Sequence, residues 1–119
     1  MKRFCIFIGA LSCVLVAFSA CTGLDFAPPP VTKELAETGG RRRVTLQQLE
    51  AGRRFFVSRC IECHTLPVTS RFPESEWPCI VYEMGNRSAL KPTEREAVLA
   101  YILAIRVYRT EPQKLNPAR

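Results

Sequence analysis

The stretch CIECH, residues 60–64, places two thiols three positions apart and follows them with the only histidine of the chain. Three chemistries use such a set. A dithiol can cycle to a disulfide, and thiolates with imidazole can hold zinc. Two thiols can also add to the vinyl groups of one porphyrin edge while the next residue offers its imidazole to the iron. The surrounding sequence has to choose among them.

The chain begins with Lys2 and Arg3, then FCIFIGALSCVLVAF without a charge, then Ser19, Ala20 and Cys21. A basic start, a short apolar run and small residues at its end make an export signal over residues 1–20. The run is short of the roughly 20 apolar residues that a membrane-spanning helix needs. FSAC at 18–21 resembles the lipobox of bacterial lipoproteins, with Phe18 where that pattern prefers leucine. The resemblance implies that Cys21 becomes the first mature residue, carries acyl chains and holds the protein on the periplasmic side of a bacterial membrane. Plain cleavage after Ala20 is the alternative. Loss of Lys2 and Arg3 with the signal lowers the formal charge from +6 to +4. RRR at 41–43 is read as the solvated end of a tether, and no nucleic-acid partner is expected of an exported chain.

Processing also sorts the six cysteines. Cys5 and Cys13 leave with the signal and Cys21 takes lipid. Cys60, Cys63 and Cys79 remain, an odd set that makes no disulfide framework, and Cys79 is expected to be a small buried apolar residue. Residues 21–43, with their triple proline and glycine pair, read as a flexible tether. Residues 111–119 read as a disordered tail. The domain proper is expected over 44–110, small enough to need a staple.

Within it the pattern is helical and shows no strand. Thr45 and Gln48 have capping-box spacing, Val44 and Leu49 the spacing of a hydrophobic staple, and Leu46, Leu49, Arg53 and Phe56 follow the helical period into CIECH. A shorter helix is expected from about Ser75, with Pro78 in its first turn, Trp77, Ile80, Val81 and Met84 along it, and Gly85 as its left-handed stop. The last helix opens at Thr93 with Glu96 three residues on, and Val98, Tyr101, Ile102 and Ile105 form its stripe.

An all-α frame disfavours a thioredoxin-like dithiol, which belongs beside a strand. A zinc site would need Cys79 as fourth ligand, and would ask adjacent Cys63 and His64 to meet one tetrahedral ion. Covalent haem uses the residues without strain, suits an exported chain and supplies the core that so small a domain lacks. The motif is read as the attachment site of one haem c, with Cys60 and Cys63 as thioethers and His64 as an iron ligand.

Residues 45–108 then resemble the small monohaem cytochromes c of bacteria. Gly52 and Phe56 stand where that family places a glycine and an aromatic on the first helix, and Tyr101 in AVLAYILAI where an aromatic of the last helix packs into the crossing. The resemblance implies an all-α domain of about three helices wrapped around the haem. It also implies Met84, the only methionine besides Met1, as second axial ligand. The 20 positions from His64 to Met84 are fewer than in many relatives. Pro67 resembles the proline of the proximal side, and Trp77 is read either as a propionate partner or as core. The implied function is electron transfer between redox protein donors and acceptors, with no enzyme activity. The alternatives are a haem sensor or peroxidase-like enzyme with an open iron position, and a fixed haem subunit of a larger membrane complex.

Overall fold

The computed structural model describes residues 27–115, and their side chains as far as Glu111. The export signal and Cys21 lie outside the described residues. Among those described, four helices and one 3-10 turn form the fold, without a strand: α1 (Lys33–Arg41), α2 (Leu46–Arg59), a turn at Glu74–Glu76, α3 (Trp77–Arg87) and α4 (Pro92–Leu115). The all-α expectation holds. No helix of the described residues is long and apolar enough to cross a membrane.

The last helix is the spine. Its buried face consists of Ala97, Val98, Tyr101, Ile102, Ala104 and Ile105, at helical spacing on one broad stripe. The other three helices pack against it. Helix α2 begins where expected, the Thr45 hydroxyl accepting from the Gln48 N–H at 3.1 Å. It buries Leu49, Gly52 and Phe56. Leu46, expected in that stripe, lies in the first turn and stays 52% exposed, whereas Arg53 reaches from the same helix to the Pro29 carbonyl at 2.9 Å.

Gly52 marks the closest approach of α2 to α4. A Cβ there would stand 2.0 Å from the Ala97 carbonyl oxygen and 2.8 Å from the Tyr101 Cβ. The Phe56 and Tyr101 rings fill the space beside the crossing, their centroids 6.1 Å apart. Only glycine permits that backbone separation, and the aromatics recover the burial it forgoes.

Within the expected tether, Lys33–Arg41 form helix α1, and the chain is described from Ala27 onward. Thr32 caps α1 by accepting from the Leu35 N–H at 3.3 Å, Glu34 and Arg41 suit the two ends of the helix dipole, and Leu35 is fully buried. That side chain alone contributes roughly 2 kcal/mol. Ahead of α1 the proline segment is strapped to the spine. The Pro29 carbonyl accepts from Tyr101 at 2.6 Å as well as from Arg53, and Ala27 accepts from Arg109 at 3.0 Å. At the other end α4 continues to Leu115, past the expected start of the tail.

Both turns that end α1 and α3 use left-handed residues that are not glycine. Gly39 and Gly40 lie inside α1, and Arg43 takes φ 60°. Val44 N–H then reaches the Gly39 carbonyl at 3.0 Å and Arg43 N–H the Gly40 carbonyl at 2.9 Å. Helix α3 repeats the pattern: Ala89 has φ 54°, Leu90 N–H bonds to Gly85 at 2.8 Å and Ala89 N–H to Asn86 at 3.1 Å. Gly85 is therefore not the stop of α3. It is a buried helical residue, there because the Arg95 stem passes where a Cβ would sit. Helix α4 opens at Pro92, ahead of the expected Thr93, because the Glu94 carboxylate accepts from the Lys91 N–H at 2.8 Å.

Two substitutions should move stability in opposite directions. Gly52→Ala should lower it by about 3 kcal/mol, since backbone meets Cβ and no side chain can yield. Ala89→Gly should raise it by about 0.5 to 1 kcal/mol by relieving the left-handed strain, less the entropy glycine adds to the unfolded chain. Thermal melting of both variants beside the parent checks the pair.

Candidate functional site

Helix α2 ends at Arg59, so Cys60 becomes its C-cap and the chain turns through Ile61 to Cys63 before His64. From the other side, α3 buries Trp77, Val81 and Gly85 against α4. Its residues Ile80 and Met84 are thereby left half-buried. A mainly apolar cleft lies between these walls. Phe56, Val98 and Ile102 line it together with Cys60, His64 and Met84. It continues into a wider opening lined by His64, Pro67, Ile80 and Met84 again, with Leu66, Phe72 and Arg71.

Three of the four residues expected to hold the haem thus face one space: a thiol, an imidazole and a thioether, from a helix end, a loop and a second helix. Cys63 is exposed and is not part of the lining. Cys79 was expected to be buried and is instead exposed. The stripe of Trp77, Val81 and Gly85 sets which face of α3 is buried, and Cys79 falls on the opposite one. Among the described residues no three His, Cys, Asp or Glu side chains gather as a metal-binding group, so the zinc arrangement with Cys79 is not formed.

The His64 ring is oriented by its own loop. Its Nδ1 lies 2.7 Å from the Thr65 carbonyl oxygen. A carbonyl only accepts, so Nδ1 carries the hydrogen, and in the neutral ring Nε2 keeps the lone pair. An imidazole held at one nitrogen by a carbonyl is the usual arrangement of a metal-ligating histidine. The Cys60 thiol is pushed up from its ordinary value, first by burial and then by the Glu62 carboxylate.

The cleft wall has one polar anomaly. Trp77 is 1% exposed, stacked edge-on against Phe72 at 5.9 Å, and its indole N–H is buried without an acceptor. A buried orphan donor costs about 1–3 kcal/mol. The loop that follows His64 is tied to the spine by Arg106, whose guanidinium donates to the Thr69 carbonyl. The Thr69 hydroxyl and the Arg106 Nε are also buried without partners.

An apolar group that carries a hydrogen-bond acceptor suits this lining. The walls are hydrocarbon, the imidazole and thioether are neutral soft-to-intermediate ligands, and the orphan N–H offers a hydrogen bond to an acceptor. The sequence reading had placed Trp77 without deciding its role. It missed the orphans at Thr69 and Arg106, because nothing in a threonine of a loop or an arginine of a helix signals burial.

Alkylation of the chain should report the burial of Cys60. A raised thiol value means less thiolate at a given pH, so Cys60 should react at higher pH in the folded chain than in urea. Mass spectrometry of maleimide adducts across pH checks this, and equal profiles in the two states would contradict it.

Compared with protein family models, with curated proteins and with solved structures, the chain matches none. The residues of the cleft alone carry the functional reading.

Proposed function

We propose that the chain is a single-haem c-type cytochrome that transfers electrons between protein partners. The observation that carries the reading is that Cys60, His64 and Met84 line one apolar cleft. Cys60 and Cys63 would hold the haem covalently, with His64 and Met84 as its axial ligands. Bound there, haem supplies an iron that gains or loses one electron.

The chain's own residues set the conditions for that exchange. Thr65 fixes the His64 ring in the tautomer that leaves Nε2 free to bind. The Met84 thioether is a weak acceptor, which favours the reduced metal. Phe56, Val98 and Ile102 exclude water from one side of the cleft, while the wider opening past Ile80 and Leu66 leaves an edge within reach of a partner. If His64 and Met84 both held the iron, no position would be left for a substrate, so the proposed role is that of a carrier and not of an enzyme.

The same proposal includes export with residues 1–20 removed and Cys21 acylated, which places the domain on the periplasmic side of a membrane. Cys21→Ala should block lipid-dependent processing or release the protein from the membrane fraction. Mass spectrometry of an unmodified native N-terminus would leave plain secretion in its place.

Produced with a periplasmic haem-maturation system, the protein should keep its haem in acidified organic solvent. The oxidised form should show the weak far-red sulfur-to-iron band and bind carbon monoxide slowly once reduced. Met84→Ala should abolish the band, open the iron to carbon monoxide and lower the potential by on the order of 100 mV. That is a fraction of the ~0.8 V over which axial ligands set haem potentials. A parent protein that is high-spin and binds carbon monoxide at once would transfer the assignment to the sensor or peroxidase class.

A further inference from the structure

The two walls of the cleft are joined by one side chain. Helices α2 and α3 both pack on α4 and hardly on each other. Their separation at the cleft is therefore not set by direct packing. Arg59, the last residue of α2, spans it. One guanidinium nitrogen meets the Glu62 carboxylate at 3.1 Å, and the other donates to the Ser88 carbonyl at 2.9 Å. Ser88 is the C-cap of α3, and its own N–H bonds to the Met84 carbonyl at 3.0 Å. Glu62 lies between Cys60 and His64. The guanidinium thus ties the loop that presents His64 to the helix end that presents Met84.

The chemistry favours an arginine here. The last carbonyls of a helix have no partner within it and carry the negative end of its dipole. A planar cation with several donors can serve such a carbonyl and a carboxylate together, which a lysine ammonium does with poorer geometry. The Glu62 pair by itself is half-exposed and adds little. The bond to Ser88 joins the end of α2 to the end of α3, and it is the informative one.

We propose that Arg59 is a positioning residue that holds Met84 within reach of the metal opposite His64. The inference rests on the haem reading above. It predicts that an external ligand competing with Met84 gains when the clamp is cut. A charged hydrogen bond is worth enough to change that competition about tenfold.

The test uses the full-length, haem-loaded protein and imidazole as the competing ligand, titrated optically into the oxidised form. Arg59→Met keeps most of the stem and removes the clamp, and should bind imidazole about tenfold more tightly than the parent. Arg59→Lys should fall between them. Glu62→Gln should change the affinity less than about twofold, because only the exposed pair is lost. Parent-like imidazole affinity in Arg59→Met overturns the proposal. If that variant does not accumulate with haem, Arg59→Lys decides, and a parent-like affinity there overturns it equally. Met84→Ala separates this failure from failure of the haem reading. A rise in imidazole affinity in Met84→Ala with none in the Arg59 variants removes the clamp alone, and no rise in any of them removes Met84 as ligand. A melting curve for each variant accompanies the titration, because a generally loosened domain would lower the melting point of Arg59→Met without the graded order of Lys and Gln.

Discussion

The close crossing at Gly52 is the constraint on which the rest of the structure depends. The backbone of α2 comes so close to the Ala97 carbonyl at Gly52 that not even a methyl group would fit between α2 and the spine. Everything downstream inherits that approach. Phe56, one turn further on, is placed against Tyr101 and forms one wall of the cleft, and Cys60, another turn on, is delivered to its mouth. A glycine, an aromatic and a thiol at spacing four are thus one device. The first sets the approach, the second fills the space beside it, and the third opens the chemistry.

Tyr101 turns the same crossing into a polar hub. Its ring packs into the crossing while its hydroxyl donates to the Pro29 carbonyl, and burial pushes the phenol up to about 12 against the pull of Arg53 and Arg109. The proline segment can be held this way because proline withholds an N–H but keeps its carbonyl, so a strap of prolines is an acceptor-only strip that side-chain donors can grip. This is why residues with the composition of a linker end up packed. Their hydrogen bonds are made to side chains far away in sequence, which no local pattern records. Helix α1 escaped notice for a related reason: Leu35 is its one large apolar anchor, and a single residue shows no period.

What could be read in advance was whatever acts over a few residues. The capping of α2 by Thr45, the stripe of Val98, Tyr101, Ile102 and Ile105, the place of Pro78 in a first turn and the glycine–aromatic crossing are all local or family-patterned, and they stand in the structure. The stop of α3 is misplaced from sequence because left-handed turns usually announce themselves with glycine. Here Arg43 and Ala89 take that conformation, while Gly39 lies against Leu49 and Gly85 against the Arg95 stem. Cys79 was misjudged on residue type, when position relative to Trp77 and Val81 decided its exposure. In the site, Cys60 and His64 of CIECH are singled out by type and spacing and line the cleft, whereas Cys63 does not. Met84 was legible because so few alternatives existed. Arg59 was not legible at all, since its partner is a backbone carbonyl 29 positions away and carries no side-chain signature.

A cleft running into so small a core has an energetic consequence. Phe56, Val81, Leu90, Val98 and Ile102 are among the residues that should close upon one another, yet each spends part of its surface on the cleft. The contacts that these side chains do not make with one another, and the Trp77 N–H buried without an acceptor, both weigh against the folded chain. A group that filled the space and accepted from Trp77 would recover both at once, and its binding free energy would then be folding free energy as well. On the proposed reading, covalent attachment at Cys60 and Cys63 would do more than prevent loss of the group. It would make whatever fills that space a permanent part of the chain, and so of its core.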